Sequence, residues 1–364
     1  MSASAIQEQD DLKALSLLVF PRAHTTSHNW ALQHVASMDL QRRSALLSLA
    51  HSHHVVVRAF QALHSLAAGT ANTELIRWTH DTLEAEHARI GNALSRLESI
   101  CTELESAGCG VVVIKSLDHW PDLGNDIDLF TLARPAKVIA VMRDKFQAKL
   151  DPRSWGDRLA GKWNFAVPGL PELIEIHMQR LGQTGEHMHL ASRVVNRRSS
   201  GQFGGCTFQV PAPEERVLLS TLQRMYRHFY LRVCDVLDNA NLVESGNLDF
   251  NELRQAADSG GIWAGVATYL RLISDYLEQY RGTPLELPRE VLTAAKFNGE
   301  RMFVRDRFLR FPVMPEAAEL YTLQMTSAAR RGDLPAAFRL SLLPPLASAA
   351  AISYKLTGSD KGIW

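Results

Sequence analysis

Two aspartates separated by one apolar residue are the first feature of this sequence that could support chemistry. Asp126 and Asp128 alternate with Ile127 and Leu129, and side chains two residues apart on a strand point to the same face of a sheet. The carboxylates would repel each other unless one binds a proton, water screens them, or a divalent cation lies between them. Hard cations such as Mg²⁺ bind a few carboxylates and keep positions free for substrate phosphates, so a metal site is one of three interpretations.

The chain before this pair reads as another strand, which ends in a lysine and a serine. Residues 111–114 are a run of β-branched side chains typical of a buried strand, and Lys115 and Ser116 follow it directly. The segment 117–125 contains proline, glycine and asparagine, which favour turns. The strand, the Lys-Ser turn and the aspartate strand together favour a functional site over an ordinary strand with two exposed acids.

This arrangement resembles the polymerase-β-like nucleotidyltransferase superfamily, and more closely a bacterial branch known as uncharacterised nucleotidyltransferases. In that branch a Lys-Gly turn precedes an Asp-Ile-Asp-Leu strand; Lys115 matches the lysine, whereas Ser116 replaces the glycine. A further strand of the branch carries an acid-x-His pair, which Glu175 and His177 match. The resemblance covers roughly residues 50–241.

The resemblance implies transfer of a nucleoside monophosphate from a nucleoside triphosphate to an unidentified acceptor, with release of pyrophosphate. Asp126 and Asp128 would hold Mg²⁺ or Mn²⁺. Glu175 would complete a second metal site or act as the base for the attacking hydroxyl. Because like charges repel, replacing both aspartates by asparagine should leave folding nearly unchanged or raise stability.

The resemblance also suggests how the nucleotide is bound. Ser116 and the backbone amides of its turn would contact the terminal phosphates, and Lys115 would either bind phosphate or pair with an aspartate. Arg232 and Asp235 match an Arg-x-x-Asp segment of the branch, but the segment 117–125 lacks the arginine that the branch usually carries there. That departure leaves the mode of phosphate binding open. The residues predicted to bind the nucleotide are Lys115, Ser116, Lys162, His177 and Asp235.

Periodicity elsewhere in the chain predicts an α+β fold with a small mixed nucleotidyltransferase-type sheet flanked by helical N- and C-terminal regions. Helical patterns cover 44–66, 73–107 and a segment from Pro213 to about Asn239. Pro168 and Gly169 should join two strands in a hairpin. The predicted strands lie near 111–114, 126–131, 163–167, 173–178 and 203–210. We therefore predict a helical region 1–107, a catalytic sheet domain 108–212 and a helical region 213–364.

The histidine and cysteine patterns give weak signals. His51, His53 and His54 supply only one pair at the i, i+3 or i+4 spacing that ligands on one helix face require. We interpret the cluster as a solvated or partly buried helix face rather than a metal site. None of the four cysteines forms a Cys-x-x-Cys pair, so reduced, mostly buried thiols are expected.

The whole-chain charge restricts the partners. With 39 basic and 39 acidic residues, nothing favours a long nucleic acid, and a small-molecule, peptide or protein acceptor is expected. No basic-then-apolar leader and no membrane-length apolar run occurs, which predicts a cytoplasmic protein without a membrane partner. Two alternatives remain: a non-catalytic nucleotide-binding or regulatory module, and a toxin-like nucleotidyltransferase that acts on tRNA through Arg193, Arg197 and Arg198.

Overall fold

Helices precede and follow a small mixed sheet, which makes the protein α+β. A computed structural model describes residues 3–20 and 25–357. The helices described before the sheet are α1 (Ala3–Val19), α2 (Thr25–Ala36), α3 (Leu40–Ser52), α4 (Val56–Ala68) and α5 (Thr73–Ser106).

The long helix α5 agrees with the predicted segment 73–107. Its first turn is capped by Asn72, whose side-chain oxygen accepts a hydrogen bond from the Leu75 N–H at 3.0 Å. The continuous helix predicted over 44–66 is wrong, because the chain breaks between α3 and α4. His54 lies at the break with a φ of +51°, a left-handed conformation that a helix interior does not accept.

The main sheet has five strands: β1 (Val111–Val113), β2 (Asp126–Thr131), β3 (Lys149–Leu150), β4 (Lys162–Ala166) and β5 (Leu173–Met178). Their order in the sheet is β1-β2-β5-β4-β3. The central pair β2 and β5 is parallel, and the other neighbouring pairs are antiparallel. The predicted hairpin is confirmed, since β4 and β5 pair across the Pro168–Gly169 turn. The other elements of this region are a 3₁₀ turn (Ser116–His119), α6 (Pro135–Phe146) and α7 (Trp155–Ala160).

The strand predicted near 203–210 does not join the main sheet. The helix α8 (Met188–Asn196) is followed by β6 (Ser199–Phe203) and β7 (Cys206–Val210), which form their own two-stranded sheet. Gly204 and Gly205 connect them with φ of +56° and +86°. Two residues with positive φ make the tight turn whose twist suits a hairpin, which explains the pairing.

The helix predicted from Pro213 to about Asn239 is interrupted. It ends at residue 223, continues as a single π-helical turn and gives way to a short strand before helix resumes. Phe229, with a φ of +56°, terminates the π turn. The C-terminal elements are α9 (Pro213–Gln223), the π turn (Arg224–His228), β8 (Tyr230–Leu231), α10 (Val233–Glu244), α11 (Phe250–Gly260), α12 (Trp263–Arg281), α13 (Arg289–Ala294), β9 (Phe303–Arg305), β10 (Phe308–Arg310), α14 (Ala318–Arg330), α15 (Leu334–Ser341) and α16 (Leu343–Thr357).

Apolar packing covers both faces of the main sheet. On one face, Ile127 of β2 belongs to the cluster that contains Leu97 of α5. On the other face, Phe130 packs in a cluster with Leu218 of α9 and Val266 of α12. Side chains alternate along β2, so Asp126 and Asp128 lie on the Phe130 face, beneath the C-terminal helices.

The helices before and after the sheet share one core. Leu15 of α1 and Phe60 of α4 are buried in the same cluster as Tyr269 and Leu272 of α12. The boundaries predicted at 107 and 212 thus coincide with changes of secondary structure, while the packing crosses them. Among the described helices, none has the length and hydropathy needed to cross a membrane.

His53 ties three distant segments together at the α3–α4 break. Its Nδ1 accepts a hydrogen bond from the Val233 N–H at 3.0 Å, and its Nε2 lies 2.7 Å from the carbonyl oxygen of Arg307. The Nε2 must therefore carry the proton of a neutral imidazole. His53 is fully buried, so protonation of its ring is unfavourable in the folded protein.

We expect the free energy of unfolding to fall as the pH decreases from 6.5 to 4. Burial lowers the pKa of His53 to about 4, whereas an unfolded histidine titrates at about 6.5. Between these values the unfolded chain binds a proton that the folded chain does not. Stability is thus complete above the unfolded pKa and is lost as the pH falls toward the folded pKa, by roughly 3 kcal/mol for this one group.

Urea unfolding at pH 7.5 and pH 4.5 measures this contribution. In His53→Asn the difference between the two pH values should shrink, because the titrating group is gone. His80→Asn is the matched control, since the His80 side chain is 64% exposed. An unchanged pH dependence in His53→Asn would show that His53 does not carry the effect.

Candidate active site

The strand register places a glutamate directly beside the second aspartate. In the parallel pair of β2 and β5, Asp128 faces Glu175 and Phe130 faces His177. Potential ligand atoms of Asp128, Glu175 and His177 all lie within 4.8 Å of one another. Glu175 was expected to lie close to the aspartates, and it lies next to Asp128. Asp126 is two residues earlier in β2 and lies on the same face of the sheet.

Two lysines neutralise two of the three carboxylates. Lys115 Nζ lies 2.5 Å from Asp128 Oδ1, and Lys162 Nζ lies 2.9 Å from Glu175 Oε1. Of the two roles considered for Lys115, the structure therefore contains the ion pair with an aspartate. No ion pair reaches the Asp126 carboxylate from any described residue.

The pKa values of the aspartates diverge for this reason. Burial and the charge of Asp128 raise the pKa of Asp126 above its usual value. Burial also acts to raise the pKa of Asp128, but Lys115 and His177 outweigh it and hold that pKa below the usual range. The two neighbouring carboxylates thus have opposite tendencies, a pattern that concentrates at functional sites.

His177 supports Asp128 rather than lining the open space. Its Nε2 lies 3.2 Å from Asp128 Oδ1, and because a carboxylate only accepts, the Nε2 donates the hydrogen bond. Burial lowers the pKa of His177, so the ring is neutral at pH 7. Its predicted nucleotide contact remains a prediction.

Ser116 fastens the turn to the aspartate strand. Its hydroxyl accepts a hydrogen bond from the Asp128 N–H at 2.8 Å, which explains why a serine suits this position. Lys115, the residue before it, has a φ of +60°, and this left-handed conformation directs the chain into the 3₁₀ turn. A phosphate bound by Ser116, as predicted, would contact a hydroxyl that already accepts the hydrogen bond from the Asp128 N–H.

These residues line a pocket of about 180 Å³ between the sheet and the C-terminal helices. Six of the predicted site residues form part of its wall: Lys115, Ser116, Asp126, Asp128, Lys162 and Glu175. Sequence reasoning missed most of the opposite wall, which consists of His54, His119, Gln223, Arg224, Arg227, His228, Tyr230 and Arg232 together with Gly124. The pocket thus combines three carboxylates with a strongly basic surround.

Asp235 lies behind this basic wall. Its carboxylate accepts a hydrogen bond from the Arg232 N–H at 2.6 Å and lies 2.7 Å from Arg224 Nε. Asp235 is 3% exposed and does not line the pocket. Its predicted contact with the nucleotide remains a prediction, and what the structure contains is a carboxylate that positions arginines.

The histidine cluster is not a helix face, which corrects the earlier interpretation. His53 and His54 lie in the break between α3 and α4, and His54 lines the pocket. A Cβ at Gly124 would lie 2.8 Å from His54 Cε1, so a larger residue at 124 would displace this ring. The feature of the sequence that could have indicated this break is the spacing of the three histidines, which does not fit one face of a helix.

His54 also belongs to a buried group with His119 and Cys234, whose potential ligand atoms lie within 4.8 Å of one another. Arg232 Nη1 lies 3.0 Å from His54 Nε2, and His119 Nδ1 lies 2.6 Å from Asp238. These contacts connect the pocket wall to α10 through hydrogen bonds.

Two of the three arginines proposed for a tRNA surface, Arg193 and Arg197, are neutralised by glutamates. Arg193 Nη2 lies 2.6 Å from Glu215 and 2.7 Å from Glu252, and Arg197 binds Glu214 at 2.7 Å and Glu215 at 3.1 Å. These four contacts join α8 and the residue after it to α9 and α11. Arg193 and Arg197 therefore contribute to packing between helices rather than to a free basic face.

Comparison with known proteins identifies a family for this chain. A family model described as uncharacterised nucleotidyltransferase matches residues 39–278, more than half of the chain. The chain belongs to this family. The matched range contains every residue of the pocket wall, so the family likeness and the candidate site coincide. Nucleotidyltransferase membership supports a transferase, without specifying the substrate.

A solved structure is also similar in part. It is an antigenic nucleotidyltransferase-like protein from Paracoccidioides brasiliensis, with 13% sequence identity and a TM-score of 0.32. The match covers 46% of this chain and 87% of that protein. At this TM-score the similarity supports no further argument. No curated protein matches the chain.

Proposed function

We propose that the protein transfers a nucleoside monophosphate from a nucleoside triphosphate to an acceptor, with Mg²⁺ or Mn²⁺ bound by Asp126, Asp128 and Glu175. The observation that carries this proposal is the convergence of the three carboxylates on one pocket wall, with Asp128 and Glu175 directly opposite in register. Membership in a nucleotidyltransferase family supports the reaction type.

The donor set fits a hard divalent cation. Carboxylate oxygens are the ligands that Mg²⁺ prefers, and Mg²⁺ sites use few of them so that substrate phosphates complete the coordination. Asp126 has no cationic partner in the described chain, and its raised pKa reflects burial and repulsion from Asp128. A bound cation would remove that repulsion. When bound, the metal would neutralise charge on the transferred phosphate.

The chain's own groups would orient and deprotonate the acceptor. In the reaction an acceptor hydroxyl or amine attacks the α-phosphorus, the bond to the bridging oxygen of the pyrophosphate breaks, and the proton passes to the Glu175 carboxylate. Lys162, which lies 2.9 Å from Glu175, holds that carboxylate in place before the acceptor arrives. His177 and Lys115 hold Asp128 in the same way.

The acceptor class follows from charge. The chain carries equal numbers of basic and acidic residues, and Arg193 and Arg197 are neutralised by glutamates. These observations favour a small molecule, peptide or protein over tRNA. A non-catalytic nucleotide-binding module would not require three converging acids, which favours turnover over binding alone.

Two measurements test the proposal in sequence. Titration calorimetry with each nucleoside triphosphate, with and without Mg²⁺, should detect metal-dependent binding. Pyrophosphate release should then rise when a suitable small molecule or peptide is added with the preferred nucleotide. Binding without pyrophosphate release for any acceptor would favour the module, and label transfer to tRNA alone would favour the toxin-like alternative.

A further inference from the structure

The basic wall of the pocket contains positive charge that the protein itself does not neutralise. Of the lining lysines, Lys115 pairs with Asp128 and Lys162 pairs with Glu175, and Arg224 pairs with Asp235. Across residues 3–20 and 25–357, no carboxylate lies within ion-pair distance of Arg227 or Arg232. Two arginines therefore face the pocket without an acidic partner.

The wall also holds buried N–H groups without acceptors. Among the residues that the structure describes, Nη1 of Arg224 and Nε of Arg232 are buried and have no hydrogen-bond partner, and the Arg224 residue is only 1% exposed. Leaving a buried charged donor unpaired is costly, so such groups in native structures call for an explanation. An anion bound in the pocket would supply the missing acceptors.

The local fold holds Arg224 and Arg232 in place before any ligand arrives. The π turn carries Arg224 and Arg227, and π-helical turns are frequent at functional sites. The Tyr230 ring lies 5.4 Å from the Arg224 guanidinium and 5.9 Å from that of Arg232. Asp235 fixes both residues from behind. A preorganised guanidinium loses less conformational freedom when it binds.

The turn after β1 is a poorer anion site. The Ser116 hydroxyl is engaged with the Asp128 N–H, and the Lys115 ammonium is engaged with the Asp128 carboxylate. The segment 117–125 contributes no lysine or arginine. The positive groups available to bind phosphate, Arg227 and Arg232, lie on the other side of the pocket.

We propose that Arg224, Arg227 and Arg232 form a polyphosphate-binding subsite, which holds the β- and γ-phosphates of the nucleotide and the pyrophosphate product. This inference rests on the proposed function for its biological role, but the anion site itself does not require turnover. Guanidinium groups bind phosphate oxygens through paired N–H donors, and the three residues approach from one wall opposite the carboxylates.

The positive charges of these arginines also lower the pKa of a neighbouring histidine. Burial and the charges of Arg227, Arg224 and Arg232 lower the pKa of His228 to about 2. His228 is therefore neutral at pH 7 and adds no charge of its own. It lines the same pocket and can donate one hydrogen bond to a phosphate oxygen.

The test uses inorganic tripolyphosphate and pyrophosphate without metal, so that the carboxylates are not needed for binding. Calorimetry on the full chain should detect binding that weakens as salt increases. Arg227→Met and Arg232→Met should each weaken it roughly 10- to 100-fold, the range expected for one charge-assisted contact. Arg143→Met is the control, because the Arg143 side chain is 70% exposed and pairs with Asp144.

Arg227→Met is the decisive variant, since within the described part of the chain Arg227 has no ion pair whose loss could disturb folding. If it binds tripolyphosphate as tightly as the parent, or if the parent does not bind tripolyphosphate, the subsite is refuted. Asp126→Asn separates this result from the proposed function: it should keep metal-free tripolyphosphate binding while losing metal-dependent nucleotide binding. A parent that binds Mg²⁺-nucleotide but no tripolyphosphate would refute the subsite alone.

Discussion

Replacing Asp126 with asparagine is expected to abolish metal-dependent nucleotide binding and to make the unliganded protein more stable. The described chain gives Asp126 no cationic partner, and Asp128 repels it, as the raised pKa of Asp126 indicates. Removing its charge relieves that repulsion at pH 7. Loss of a direct metal ligand should weaken metal-dependent binding by more than roughly 100-fold, the upper end of the loss caused by removing a ligand's supporting partner.

Asp128→Asn is the matched comparison, and its stability should change in the opposite direction. Asp128 is 5% exposed and pairs with Lys115 and His177. Removing one partner of a buried ion pair costs about 3–5 kcal/mol. From the structure we therefore expect stability to be retained only in Asp126→Asn, whereas the sequence alone predicted this for replacement of both aspartates.

Calorimetric nucleotide binding with Mg²⁺ and urea unfolding without metal measure the two effects. Gain of stability together with loss of binding is the signature of a site that sacrifices stability for function. If Asp126→Asn bound nucleotide with metal as well as the parent does, the metal site would have to be placed elsewhere.

Glu175→Gln should lower turnover by roughly 10²–10⁴-fold, the contribution expected of a general base, while nucleotide affinity changes much less. Asp126 and Asp128 remain to hold metal in this variant. Folding should be little affected, because Lys162 keeps a second acidic partner in Asp157 at 3.4 Å. The glutamine retains the shape of the side chain and loses its negative charge together with its ability to take a proton.

His177→Gln is the control for Glu175, since it alters a neighbour of Asp128 without touching the acceptor side. Its rate should fall less than that of Glu175→Gln, because Lys115 still holds Asp128. Steady-state pyrophosphate release, measured once an acceptor is found, separates the rate from the affinity. Full activity in Glu175→Gln would remove Glu175 from the catalytic group.

The sequence revealed one wall of the pocket because that wall is built from local signals. The alternation of Asp126 and Asp128 and the strand that carries Glu175 are period-two patterns, and a sheet brings such strands together. Ser116 was identified as a turn residue, whereas its hydrogen bond to the Asp128 N–H depends on the exact register of β2.

The opposite wall could not be predicted because it depends on long-range packing. The helical pattern of the sequence continues through residues 224–228. It predicts neither the π turn nor the left-handed backbone conformation of Phe229. Arg232 was noted only as part of an Arg-x-x-Asp match, and Arg227 had no signal of its own, because the pocket position of both depends on how the π turn, β8 and α10 pack over the sheet. His54 reaches the pocket only because the chain breaks between α3 and α4.

The wide separation of the pocket walls along the chain also bears on the order of events during synthesis. All strands of the main sheet are complete by Met178, but the arginine wall begins at Arg224. The bonds of His53 close loops of 180 and 254 residues, and contacts so distant in sequence form late because the entropy of loop closure must be met first. A nascent chain therefore displays its carboxylates before it has a cavity, and the pocket is completed only after the ribosome has passed Arg232.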